Sequence, residues 1–137
     1  MIFRKAILPI VFATQAPLAL ACGYCVEDKI AATYDHAVVT RALAQKHQVA
    51  FFHVDGSRPA GEPGRRLLVR AASGTPGLDA GTVRVSDDNL TLSFAFDPSR
   101  INLGAVQGRI EKKLAGKAAL LPLRVIDRPG DLKTVSR

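Results

Sequence analysis

The chain has 137 residues, 47% of them apolar and 23% charged, with a formal net charge of +7. That is one domain's worth of chain, and its balance excludes a disordered or collagen-like protein. Two cysteines exclude a multi-bridge secreted scaffold, and 6% aromatics with no Trp argues against a base-stacking nucleic-acid binder.

Arg4 and Lys5 open the chain, and residues 6–21 carry no charge. Ala19-Leu20-Ala21 then forms a small-residue A-x-A site. These are the parts of a cleaved signal peptide over residues 1–21, so the chain is expected in the periplasm or secreted. A membrane anchor is the competing reading, because the uncharged run extends to Val26. Pro9, Gln15, Pro17 and Gly23 make that run a poor spanning helix. Cys22 follows the cleavage site directly, and Leu18-Ala19-Leu20-Ala21-Cys22 fits a permissive lipoprotein box. Membrane association is expected only if Cys22 is lipidated.

Val26, Ile30, Tyr34, Ala37, Val38 and Ala42 recur at helical spacing and predict one helix over residues 24–46. Residues 48–54 are apolar on both faces and predict a strand buried on both. Residues 56–64 hold three Gly and two Pro and read as a loop. Leu67, Leu68, Ala71 and Ala72 predict a short helix over 65–73, stopped by Gly74. Residues 82–86 and 90–96 alternate around Asp87-Asp88-Asn89 and predict a hairpin, with Leu90, Leu92, Phe94 and Phe96 on one face. Leu103, Val106, Ile110 and Leu114 line a helix over 103–114, with Asn102 as its N-cap. Residues 120–126 read as a last strand, which Pro122 confines to a sheet edge.

From residue 47 the order is β-α-β-β-α-β, the split βαβ arrangement called ferredoxin-like. Its sheet order is 4-1-3-2, with the first strand central and the last at an edge. Such a sheet carries both helices on one face and leaves the other open, which residues 48–54 do not tolerate. The fold class is therefore α+β, a ferredoxin-like βαββαβ sandwich with the extra N-terminal helix packed on the open face. Burial of both Phe51 and Phe52 is the test. The expected organisation is a signal peptide over 1–21, a Cys-x-x-Cys helix over 22–46, the ferredoxin-like body over 47–126 and a flexible tail over 127–137.

Residues 76–116, PGLDAGTVRVSDDNLTLSFAFDPSRINLGAVQGRIEKKLAG, resemble the second half of a heavy-metal-associated domain, the small copper- and mercury-carrying module. The shared pattern is Pro-Gly after a helix, a V-x-V strand, a hairpin, Asp-Pro and an amphipathic helix. The resemblance implies a ferredoxin-like fold and soft-metal carriage through Cys-x-x-Cys in the loop after the first strand. That loop here, residues 53–64, has no Cys. The pair instead stands before the first strand, as Cys22-Gly23-Tyr24-Cys25.

Two thiols in C-x-x-C can face one point, and a helix start favours their thiolates. The pair suits a soft metal ion, Cu(I) or Hg(II) in linear coordination, or a reversible disulfide. Cys22 and Cys25 are the candidate metal ligands. A plain structural disulfide and a lipidated Cys22 are the bland alternatives. On a continuous helix His36 lies about 16 Å beyond Cys25 and cannot share its metal. Asp28 is a hard ligand, and His47 and His53 read as packed or surface residues.

No nucleophile elbow, zincin, Walker or dinucleotide motif is present, so no enzyme is expected. The expected function is an exported soft-metal-binding or metal-sensing protein, with a metal ion or a partner protein as its counterpart. A thioredoxin-like thiol–disulfide oxidoreductase and a non-catalytic interaction module are the alternatives. The basic clusters Arg65, Arg66, Arg70 and Lys112, Lys113, Lys117 read as solvated helix faces, with no nucleic acid as partner.

Overall fold

Strand β1 (Gln48–Asp55) organises the molecule because both of its faces are apolar. In the computed structural model, which describes residues 20–134 and the side chains of 26–131, β1 lies inside a four-stranded sheet. The other strands are β2 (Arg84–Val85), β3 (Thr91–Phe96) and β4 (Ala119–Ile126). The sheet order is β2-β3-β1-β4 and every neighbouring pair is antiparallel. The fold is α+β, with the first strand central and the last at an edge. Pro122 sits on that edge strand, the place in a sheet where a residue without an N–H is tolerated. Beside it the register slips, Phe51 facing Arg124 while Phe52 faces Pro122, so Leu123 is an extra bulged residue.

Side-chain alternation along β1 feeds two cores. Ala50, Phe52 and Val54 point into one, with Leu92, Phe94 and Phe96 from β3. Phe52 and Phe94 stack there with ring centroids 5.5 Å apart. Helices α3 (Gly61–Ser73) and α4 (Leu103–Leu114) cover this face through Leu68, Ala71 and Ala72 and through Val106, Ile110 and Leu114. Val49 and Phe51 point the other way, into a second core with Ala95 and Ile126. Helices α1 (Leu20–Thr33) and α2 (His36–Ala44) cover that face with Ile30, Val38, Val39 and Ala42. Phe51 is 1% exposed and Phe52 0%, so the N-terminal segment does pack on the sheet.

Three expectations are corrected. The helix over 24–46 is two helices, because Asp35 leaves the helical path (φ −121°, ψ 109°) to cap α2. Its carboxylate accepts from the Ala37 and Val38 amides at 3.0 and 3.2 Å. Helix α3 begins at Gly61 rather than 65, since Pro63 lies in the first turn, where no N–H is required. Strand β2 is shorter than 82–86. The Thr82 hydroxyl takes the Ala95 amide at 3.1 Å in place of a ladder bond. Within the expected tail over 127–137 the chain forms a 3-10 turn at Pro129–Thr134, and 135–137 lie outside the described residues. Helix α4 starts as expected, with Asn102 Oδ1 accepting from the Ala105 amide at 2.8 Å.

Candidate functional site

Helix α1 carries both cysteines and lies across the sheet. Near its start, Arg124 on edge strand β4 donates from Nη1 to Glu27 Oε2 at 3.1 Å. At its end, Ser93 on β3 donates from Oγ to the Thr33 carbonyl at 3.2 Å. Just past that end, Arg84 on β2 donates from Nε to Asp35 Oδ2 at 3.1 Å. Between these ties Ile30 is buried. The helix is thus fixed to both edges of the sheet. The hydrogen bonds from Arg124 hold the Glu27 carboxyl below its ordinary range. The Val38 amide, then Arg84, does the same for Asp35.

Cys25 and Cys22 precede Glu27 by two and five residues, so their backbone lies about 3 and 7.5 Å farther along the axis at 1.5 Å per residue. That direction leads past edge strand β4. Residues three apart on a helix share a face, which places the two Cα positions on one side of α1. The cysteine side chains lie outside the described residues, as do residues 1–19 of the expected signal peptide. The thiols were expected at a helix start. Both cysteines stand in α1, which is helical from the first described residue, Leu20. Cleavage after Ala21 would put Cys22 at the head.

The three histidines are spread apart. His36 begins α2, with Nδ1 3.4 Å from the Tyr34 hydroxyl and Nε2 3.5 Å from Thr40 Oγ1. The break at Asp35 removes the continuous-helix geometry that would place it in line with Cys25. His53 donates from Nδ1 to the Leu90 carbonyl at 3.0 Å. His47 does something the sequence reading missed. Its Nδ1 donates to Asp79 Oδ2 at 2.7 Å, and its Nε2 lies 3.6 Å from Asp97 Oδ2. Hydrogen bonds from the Ser99 hydroxyl and amide, with His47 adding to them, hold Asp97 below the usual carboxylate range.

Both nitrogens of His47 face carboxylates, Nδ1 at hydrogen-bond distance and Nε2 at 3.6 Å. The arrangement is a tie between the start of β1, the end of β3 and the loop after α3. Its three members are far apart in sequence, and no motif spacing announces them. Among the described residues no group of three or more His, Cys, Asp or Glu side chains is placed to hold a metal ion. None of the helices described is long and apolar enough to cross a membrane. Compared with known proteins, the chain matches no family model, no curated protein and no solved structure.

Proposed function

We propose that the chain is an exported soft-metal-binding or metal-sensing protein whose ligands are Cys22 and Cys25, carried beside a ferredoxin-like body. The observation that carries this reading is a Cys-x-x-Cys on one face of a helix that is anchored to the sheet by Glu27 and Ile30. Two thiolates on adjacent turns suit a linear two-coordinate ion such as Cu(I) or Hg(II). The ferredoxin-like reading is supported by the strand order, which is 4-1-3-2 when counted from β4, and by α3 and α4 sharing one face. Both match the order expected for the partial likeness of residues 76–116 to heavy-metal-associated domains.

Titration of the reduced protein with Cu(I) under a competing chelator tests the reading. One equivalent is expected to bind, with thiolate-to-metal charge transfer in the ultraviolet, and Cys25→Ser is expected to abolish both. No stoichiometric binding of Cu(I) or Hg(II) would sink the proposal. Turnover in an insulin-reduction assay without metal binding would select the oxidoreductase reading instead. One feature weighs against that alternative: the sheet takes in strand β4 after helix α4.

A further inference from the structure

We propose that the outer face of the α3–α4 layer docks onto an anionic phospholipid bilayer, whether or not Cys22 carries lipid. Two basic clusters lie far apart in the sequence, and packing of the two helices over a common core brings them onto one layer. Core residues Leu68, Ala71 and Ala72 face inward from α3, and Val106, Ile110 and Leu114 from α4. Arg66, Arg70, Arg109, Lys112 and Lys113 are left exposed, with Lys117 just past the end of α4. Lys113 reaches across to the Gly74 carbonyl and Arg109 to that of Pro76, so the clusters meet at the α3 C-terminus.

Few carboxylates answer this charge. Glu62 pairs with Arg66 only at 4.0 Å, on a fully wetted surface, where such a pair contributes little. Glu111 is turned toward the sheet, accepting from Gln107 Nε2 at 2.9 Å. Two shallow hollows open on the layer and its rim. One of about 400 Å³ is lined by Arg66 and Arg70 with Glu62 and with Arg65, which donates to the Val85 carbonyl at 2.8 Å and lies 3.8 Å from Asp87, and one of about 290 Å³ by Arg100 and Arg109. Both present guanidinium groups, which suit phosphate oxygens.

A bilayer fits this surface better than other polyanions. Two helices lying side by side form a broad face with no deep groove for a peptide. Neither helix holds an aromatic residue to stack on a base. A polybasic surface gains affinity for an anionic membrane with each Lys or Arg brought to it. The choice of a bilayer rests on the positive charge of this face and on the export reading, which brings the chain past the anionic surface of the membrane it crosses.

The test is flotation of the full chain with phosphatidylcholine vesicles, with and without phosphatidylglycerol, at low and high salt. Binding is expected only to the phosphatidylglycerol vesicles and is expected to fall steeply with salt. Replacing Arg66, Arg70, Lys112 and Lys117 together by Glu should weaken it at least about 100-fold, and Gln at the same positions by a smaller factor. Lys29→Glu with Arg41→Glu, on the opposite layer, should leave it unchanged. Circular dichroism of each variant separates loss of charge from loss of fold, and the Gln set decides if the Glu set unfolds.

Equal, salt-insensitive binding to both vesicles would show insertion of residues 6–21 alone and overturn the proposal. So would tighter binding to DNA or heparin than to vesicles, which would select a different polyanion. Failure of Cu(I) binding leaves this result untouched. The export reading is checked separately, by recovery of a chain cleaved after Ala21 from the periplasm.

Discussion

Phe51→Ala probes whether the thiol-bearing helix belongs to the folded body. Phe51 is 1% exposed and packs among Ile30, Val39, Ala42, Val49, Ala95 and Ile126. Half of that wall comes from α1 and α2. Truncating a buried Phe to Ala removes its transfer free energy and leaves a cavity, together about 3–5 kcal/mol. With a urea m-value of roughly 1.5–2 kcal/mol/M, the midpoint should fall by roughly 2 M. Phe52→Ala, on the opposite face of β1, should cost a similar amount, and both variants should unfold in a single transition. Phe51→Leu keeps most of the volume and should cost about 1 kcal/mol, which keeps the test readable if the Ala variant does not fold. Chemical denaturation followed by circular dichroism measures all three. A loss below about 1 kcal/mol for Phe51→Ala beside a full loss for Phe52→Ala would refute the reasoning. It would mean that α1 and α2 lie on the sheet without contributing a core.

Acid should weaken the two carboxylate ties of the α1–α2 layer. Glu27 and Asp35 titrate below their ordinary values of 4.5 and 3.8 in the folded chain. Their stabilisation is therefore complete above about pH 4.5 and drains away as pH falls through the lowered folded values. Urea midpoints measured from pH 7 to pH 3 should drop, and Glu27→Gln with Asp35→Asn should flatten the curve; an unchanged slope would count against the two ties. Asp35→Ala should cost about 1 kcal/mol at neutral pH through loss of the α2 cap, read as a lower melting temperature. Gly64→Ala should destabilise by on the order of 2 kcal/mol or more, because a Cβ there would stand 1.9 Å from the Pro59 carbonyl oxygen. A wild-type melting curve for that variant would contradict the close approach of loop and helix.

The two-layer plan was legible because Phe51 and Phe52 are neighbours in one strand and must face opposite ways. Neither tolerates water, so the chain had to supply a cover for each face. Asn102 and Pro122 were legible for equally local reasons, a cap side chain and a missing N–H. The break at Asp35 was not. Tyr34, Ala37 and Val38 keep up an apolar stripe through it, and the competing bonds come partly from Arg84 on a distant strand. Gly61 and Pro63 read as loop residues, although both are acceptable in a helix's first turn. The His47 tie depends on Asp79 and Asp97, each of which looks like a solvated turn acid until the strands pair. The Cys-x-x-Cys was visible as a motif, but its position past the β4 edge follows only from the Glu27–Arg124 pair.

The acids of this chain are unevenly committed, and that unevenness connects its two faces. Glu27 and Asp35 bind the sheet-edge arginines, Asp79 and Asp97 hold His47, and Asp88 accepts from Ser86 at 2.6 Å. Each fixes a joint of the α1–α2 layer or of the loops around the sheet. None of these is placed to neutralise Arg66, Arg70, Arg109, Lys112 and Lys113 on the outer face of α3 and α4. The thiol helix lies on the opposite side of the sheet and runs out at its β4 edge. An anionic surface bound through Arg70 and Lys112 would leave Cys22 and Cys25 uncovered. If both proposals hold, docking and thiol chemistry use separate faces, and reversing the charge of Arg66, Arg70, Lys112 and Lys117 should not alter metal uptake by Cys22 and Cys25.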